Sequence, residues 1–411
     1  MKQEPHIVFV TTSNLATNPR LVKEVELAVS LSYKVSIIDF HFRNWSLSLN
    51  NEIMKRLDNH VNVIEVSAER QSFFPWVYSS ILQLVCKWLV KTGWQHPFLL
   101  SQALQKRTVL LILALKKITR QVDLLVAHNP GSFYPVSQYA YKRNIPFGID
   151  VEDYHPGESN NRTESGWMRK LMQCVIPKAN YVTAAAPLIM EEIKKDCNNI
   201  IPASAVVLNY FPSSEFTTPS TTIEDKLKLV WFSQYIAAGR GLEALLPVIK
   251  EFSTSAELHL YGQLDPDFQQ KHLAAISNVI VHDPLPQQEL HASLSKYDVG
   301  IALEDVNSNY NRDICITNKL LAYHQSGLYI LASSTKAQKL FMEEHPKHGK
   351  CIQATTESLN SILLELINSK HIIRSESINR FLTARSVSSE KEVGQISKIW
   401  TEVLLKRSHV I

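Results

Sequence analysis

Residues 298–333 read DVGIALEDVNSNYNRDICITNKLLAYHQSGLYILAS. An apolar run, DVGIAL, ends in a polar loop, and a helical pattern opens at Thr317-Asn318-Lys319. Gly327 then turns the chain into a second apolar run, LYILAS. That order spells a βαβ unit whose loop and helix start share one sheet edge. Phosphorylated ligands settle at such edges, because free backbone N–H groups and the positive end of the helix dipole converge there. Lys319 strengthens the reading. A lysine in a first helical turn opposes the macrodipole by ~0.3–1 kcal/mol and is expected only where an anion is near. Asn318 reads as the N-cap of that helix.

The same alternation runs outward in both directions. HIVFVT, KVSIIDF, DLLVAH (123–128), IPFGIDV (145–151), YVTAAA (181–186) and AVVLN (205–209) alternate with helical patterns such as RLVKEVELAVSL and PLIMEEIKKD. Strands alternating with helices imply a parallel, doubly wound sheet. FPSSEFTTPSTTIEDK (211–226) is dense in Ser, Thr and Pro, with no apolar period, and reads as a linker. After it the rhythm restarts with LKLVWFS, GLEALLPVIKEF, ELHLYG and NVIVHD. The expected plan is therefore α/β throughout: a first domain at 1–210, a linker at 211–225, a second domain at 226–387, and a C-terminal amphipathic helix at 388–411 packing back on the first domain. Val393, Ile396, Ile399, Trp400 and Leu404 form that helix's apolar stripe.

A chain of 411 residues suits two domains better than one core, and 45% hydrophobic with 20% charged content excludes wholesale disorder. A net charge of +4 over such a length is a weak signal for nucleic acid, and no binding motif accompanies it. Five dispersed cysteines without CxxC or His-linked spacing argue for reduced thiols in a cytosolic setting and against a zinc site. The N-terminus reads as a first strand, its apolar run being too short for a signal peptide. No window reaches the roughly 18–20 apolar residues needed to span a bilayer, the longest uninterrupted run being about Val109 to Leu115.

Several residues stand where chemistry is expected. Arg240-Gly241, after the first strand of the second half, form an anion pocket in which Arg240 binds a phosphate bidentately and Gly241 leaves its backbone open. The polar loop 304–314 offers Glu304 and Asp313 to sugar hydroxyls. In the first half, Asp150, Glu152, Asp153, His155 and Glu158 follow a strand directly and so emerge at its carboxyl end, a setting for acid/base work. His128 ends its own strand by the same logic. Asn18, Pro19 and Arg20 place an N-cap, an N1 proline and a cation at the start of the first long helix. Asp265-Pro266-Asp267 reads as a turn rather than a metal motif. The loop TSNLATNPR after the first strand carries no GxGxxG, which argues against a dinucleotide-dependent dehydrogenase.

The segments around Arg240 and Lys319 resemble the donor site of GT-B glycosyltransferases of the family 4 kind, and the resemblance spans nearly the whole chain. It implies two Rossmann-like domains with a deep interdomain cleft and a C-terminal crossover helix. It also implies a hexosyltransferase-type transfer from a UDP- or GDP-sugar to a saccharide or lipid-linked acceptor in bacterial surface polysaccharide or glycoconjugate synthesis, with retained anomeric configuration and no metal or other cofactor. On this resemblance Arg240, Gly241, Asn318, Lys319, Glu304, Asn18 and Arg20 serve the donor, while His128, Asp150, Glu152, Asp153 and Asp313 serve catalysis. Two positions depart from the pattern. Gln234 stands where the family has a base, and Ala322 where NK-L-x-E-Y-x-x-x-G has a ribose-gripping Glu. A non-catalytic sugar- or partner-binding GT-B subunit is the alternative these departures favour.

Residues 71–121 break the rhythm. Between Arg70 and Asp123 there is no Asp or Glu, yet Lys87, Lys91, Lys106, Arg107, Lys116, Lys117 and Arg120 fall there among seven aromatic residues from Phe73 to Phe98. Helices with a basic and an aromatic side lie in the headgroup layer of anionic bilayers. The expectation is a cytoplasmic enzyme held peripherally on the inner membrane face by this insert.

Overall fold

The computed structural model describes residues 4–44, 46–57, 60–70, 72–220, 224–304 and 309–408. The chain divides into two compact units, Met1–Val207 with Val393–Ile411, and Leu208–Glu392.

The first unit is built on seven parallel strands: β1 (His6–Thr11), β2 (Lys34–His41), β3 (Val61–Ser67), β4 (Leu124–His128), β5 (Phe147–Val151), β6 (Tyr181–Ala184) and β7 (Ala203–Val206). Their order is β3-β2-β1-β4-β5-β6-β7. β1, β4 and β5 are buried along their whole length, which is why their sequences read as continuous apolar runs rather than alternating ones. β3 mixes half-buried with exposed residues and carries a weaker signal, and the sequence reading missed it. Helix Pro19–Ser30 starts as its residues dictate: Asn18 accepts from the Leu21 amide at 3.0 Å and Pro19 fills N1. From Val393 onward helix Ser389–Ser408 belongs to this unit. Trp400 is its anchor, fully buried, edge-on to Phe9 at 5.9 Å, its Nε1 donating to the Tyr181 hydroxyl at 2.8 Å. Truncating such a side chain to alanine costs about 3–5 kcal/mol.

The second unit has six parallel strands: β8 (Leu227–Ile236), β9 (Ala256–Leu264), β10 (Val279–His282), β11 (Val299–Ala302), β12 (Tyr329–Ser333) and β13 (Gly349–Ile352), in the order β10-β9-β8-β11-β12-β13. The βαβ unit of 298–333 is β11, helix Asn318–Gln325 and β12, paired from Val299↔Tyr329 to Ala302↔Ala332. Gly300 faces the ring of Tyr323 so closely that a Cβ would lie 2.3 Å from it. In both sheets the order reverses beside the first strand, between β1 and β4 and between β8 and β11. These are topological switch points, where open α/β sheets hold ligands beyond the strands' carboxyl ends.

Three local expectations differ from the structure. The stretch read as a linker is not free chain at its start: Phe211 and Phe216 are buried against His291, and the Phe211 amide donates to Gln325 Oε1 at 2.9 Å. The helix expected from Gly241 begins at Leu245, after a turn closed by the Leu245 and Leu246 amides on the Leu242 carbonyl. Pro247 then falls in its first turn, where a proline costs no helical hydrogen bond. Thr317, not Asn318, caps helix Asn318–Gln325, its side chain accepting from the Leu320 amide at 3.4 Å. Asp265 caps the short helix Pro266–Phe268, in keeping with a turn.

Candidate functional site

The second unit's switch point gathers most of the residues expected to serve a donor. β8 runs into the loop carrying Arg240 and Gly241, and β11 runs into Leu303 and Glu304. The two loops touch at Gly241, whose φ of +82° suits glycine, and where a Cβ would lie 2.8 Å from the Leu303 carbonyl oxygen. Glu304 is pinned to the end of β12, its amide donating to Ser333 Oγ at 2.6 Å and its carbonyl accepting from that hydroxyl at 3.0 Å. Three strand ends thus meet around one patch.

Lys319, second residue of its helix, enters this patch. Its Nζ lies 3.1 Å from Glu304 Oε1, with the two side chains 13% and 12% exposed, and 4.9 Å from the centre of the Trp231 ring. Burial lowers its pKa most; the charges of Arg240 and Arg312 lower it further, while Glu304 opposes them. Three cations therefore crowd one carboxylate beside a helix N-terminus. A phosphate group placed there would relieve that crowding.

Other expected residues lie elsewhere in this unit. Asp313 is on the short helix Tyr310–Ile314, where it accepts from the Lys336 amide at 2.9 Å and pairs with Lys336 Nζ at 2.8 Å. Its carboxylate thus serves the start of helix Lys336–Glu344, a favourable place for negative charge. Asn318 Oδ1 accepts from Asn209 Nδ2 at 2.9 Å. Ala322 is fully buried in the core with Leu320, Leu321 and Tyr323. Gln234 is exposed at the bulge of β8 between Phe232 and Tyr235. The middle of the polar loop, 305–308, lies outside the described residues.

The first unit's switch point is built differently. Arg20 grips Asp150 with two donors, Nε to Oδ2 at 2.9 Å and Nη2 to Oδ1 at 2.6 Å, and gives Nη1 to the Val207 carbonyl at 2.7 Å. Thr183 Oγ1 adds a bond to Asp150 at 2.6 Å. His128, beside Asp150 in the β4–β5 register, stands 3.5 Å from it and 3.4 Å from Glu24. The four side chains are all nearly inaccessible, Arg20 the most exposed at 4%. Arg20 and His128 hold the Asp150 carboxyl far below the usual range against its burial. His128 is pushed up to about 9, its burial being outweighed by Glu24 and Asp150. Burial pushes Glu24 up, against the pull of His128. Facing oxygens and nitrogen of Glu24, His128 and Asp150 lie within 4.8 Å of one another, close enough for a cation. Arg20 already occupies that electrostatic role, since both Asp150 oxygens accept from it.

Arg20 is thus directed inward, away from the donor role expected of it, and His128 is held between two carboxylates that favour its charged form rather than standing free as a base. Glu152, just beyond β5, is half-buried, and its burial pushes the carboxyl up to about 7. Asp153 is half-buried beside it, and His155 Nδ1 pairs with Glu158 Oε2 at 2.7 Å. Asn18 is spent on its cap and on Asn129, which holds a left-handed φ of +68° at the end of β4. Sequence reasoning missed Glu24 and Trp231. Glu24 had a signal, since it lies four residues after Arg20 on one helical face. Trp231, in an apolar strand, had none.

No family model matches the chain, and no curated protein matches it. Solved structures do. The chain is similar to HepE of Anabaena in complex with UDP, at 13% identity and TM-score 0.62, over 97% of this chain and 100% of that one. It is similar to sucrose-phosphate synthase of Thermosynechococcus elongatus, at 10% identity and TM-score 0.67, over 98% and 100%. It is also similar to a UDP-N-acetylglucosamine 2-epimerase, at 10% identity and TM-score 0.58, over 99% and 97%. The fold is GT-B, two Rossmann-like units each with a parallel sheet.

Proposed function

We propose that the protein is a glycosyltransferase that takes its sugar from a nucleotide diphosphate donor, UDP- or GDP-linked, with the diphosphate held at the second unit's switch point. The observation that carries this is the convergence of Arg240, Gly241 and Lys319 on one sheet edge. Departure of a nucleoside diphosphate places negative charge where these cations stand, and such preorganised charge is the largest single contribution to many transfer reactions. Structures similar to this one hold UDP and UDP-glucose in HepE, which agrees with a nucleotide-sugar donor. Glu152, with its pKa near neutrality, is the group in the first unit best suited to move the acceptor's proton. A saccharide or lipid-linked acceptor and retention of configuration follow from the family 4 resemblance and form part of the proposal.

Melting temperature with UDP, GDP and their sugars tests it. Saturation to 100 times Kd adds about 2.7 kcal/mol of stability, so the correct nucleotide raises the melting temperature by several degrees. No rise with any nucleotide contradicts the proposal. A second reading, a GT-B subunit that binds such a ligand without transferring it, is favoured by Ala322: the ribose clamp of the resembled family is replaced by a buried methyl group. Nucleotide binding without consumption of any nucleotide-sugar, in the presence of a range of acceptors, would select it.

A further inference from the structure

Helix Phe73–Lys91 exposes a row of large apolar side chains. Phe74 (82%), Tyr78, Ile81, Val85 and Trp88 (64%) follow one another at spacings of four and three, flanked by Leu84 (69%) and followed by Trp94 (68%). This is the one unbroken helix among the described residues long and apolar enough to cross a membrane. The expectation that no window reaches that length is therefore overturned: the helix has the length and mean hydropathy of a span even with Ser79, Ser80, Gln83 and Lys87 included. It is nevertheless tied to the unit along its other face. Ser79, Cys86 and Val90 are buried, the Ser79 carbonyl accepts from Gln102 Nε2 at 3.2 Å, and Gln83 Nε2 donates to the Ala103 carbonyl at 3.1 Å. A transmembrane course would sever those bonds, whereas lying flat keeps them.

At the foot of the helix is a cavity of about 380 Å³ lined by Arg43, Arg70, Lys106, Arg107, Trp76 and Phe42, with Glu69 and Ala68 completing it. Four cations face one carboxylate. Arg70 and Lys106 both stand over the Trp76 ring, at 5.6 and 5.7 Å, and the Arg107 guanidinium lies 4.3 Å from the Phe42 ring. Arg107 Nη1 donates to the Thr12 carbonyl at 2.8 Å, while its buried Nε has no hydrogen-bond partner among the described residues. Burial lowers the pKa of Lys106 most, and the adjacent Arg107 and Arg70 add to it. Such a cluster is completed by an anion.

We infer that helix Phe73–Lys91 and this cavity form one docking surface for an anionic phospholipid bilayer, the exposed apolar row entering the interface and the cavity taking a lipid phosphate. Trp76, on the helix's first turn, belongs to the cavity wall, so the two features are continuous. A second copy of the chain is the poorer occupant. Lys87 is paired with Glu164 at 3.4 Å, but the stretch from Arg70 to Asp123 has no acid of its own, so pairing two such faces sets Lys91 and the cavity's cations against like charges. The surface is independent of the sugar chemistry proposed above.

Flotation of the full chain with phosphatidylcholine vesicles, with and without phosphatidylglycerol, tests it. The protein floats with the anionic vesicles and only weakly with the neutral ones. Lipids brominated in the acyl chains quench the fluorescence of Trp88 and Trp94, the two tryptophans of the exposed face. Phe74→Ser with Trp88→Ser, both exposed and so without effect on melting temperature, abolishes flotation. Arg70→Gln with Lys106→Gln weakens binding to anionic vesicles about fivefold per charge removed and leaves the neutral ones unchanged. Absence of flotation with anionic vesicles overturns the inference, as does binding that both double variants retain. Three other results overturn it: resistance to alkaline extraction, which marks a spanning helix; a dimer in solution that the Phe74/Trp88 variant dissociates; and protection by inorganic phosphate without vesicle binding, which marks a soluble phosphate ligand.

Discussion

The two switch points of this molecule use the same residue types for opposite ends. In the first unit Arg20 and His128 face Glu24 and Asp150, two cations against two carboxylates, closed off from solvent with both Asp150 oxygens engaged. In the second, Arg240, Arg312 and Lys319 face Glu304 around a patch that stays partly open. Balanced and sealed charge is internal structure; unbalanced and accessible charge favours an anion beside it. The topology is common to both, so accessibility and charge sum, not position in the sheet, separate a structural cluster from a binding one.

The comparison breaks most visibly at Asp150. Replacing it with alanine leaves Arg20 buried without its partner and is expected to cost about 3–5 kcal/mol, read as a lower denaturation midpoint of the first unit's transition. A cost below about 1 kcal/mol would mean that water reaches the cluster and that it is not sealed. The pH dependence of His128 comes next. Its folded pKa, about 9, lies above the 6.5 of an ordinary imidazole, so its contribution is fully present below pH 6.5 and lost as pH rises towards 9. Stability should fall by about 3 kcal/mol across that window, and the fall should vanish in His128→Gln. A flat profile in the unsubstituted protein would place His128 among the neutral histidines.

In the second unit the expected order is reversed, with small stability effects and large binding effects. Arg240→Ala, at a half-exposed loop position, should change stability by no more than about 0.5 kcal/mol while removing a charged contact of about 1.5–3 kcal/mol from nucleotide binding. Equal affinity in calorimetry would take Arg240 out of the site. Gly241→Ala should be the mildest probe of geometry. The left-handed φ and the crowding on Leu303 together cost about 1–2 kcal/mol in stability, and affinity falls as the β8 loop is pushed from the β11 loop. Unchanged stability would show that the two loops need not touch.

Much of this was legible in the chain. The βαβ unit of 298–333 is present with its strands within a residue of their expected ends, because a Gly and a polar loop bracket runs buried on both faces. Arg240 and Lys319 were visible as cations at the start of segments that follow strands. Their meeting was not, because it depends on the β8–β11 adjacency that only the sheet order supplies. The inward turn of Arg20 was hidden for the same reason, since Asp150 lies 130 residues away. Capping by Thr317 instead of Asn318 is a shift of one residue, the usual uncertainty where two good caps are adjacent. β3 and β13 escaped because both lie at a sheet edge, with few or no fully buried residues, and their sequences, VNVIEVS and GKCI, lack an unbroken apolar run.

The central claim is that Arg240 and Lys319 together hold a nucleoside diphosphate on the second unit. Isothermal titration of UDP and of GDP into the unsubstituted protein and into the Arg240→Ala, Lys319→Ala double variant tests it most directly. Binding of one nucleotide to the first and a loss of at least a hundredfold in the second, with both proteins unfolding cooperatively above the titration temperature, is the predicted result. The same affinity in both proteins, or no heat with either nucleotide in the unsubstituted one, would contradict it.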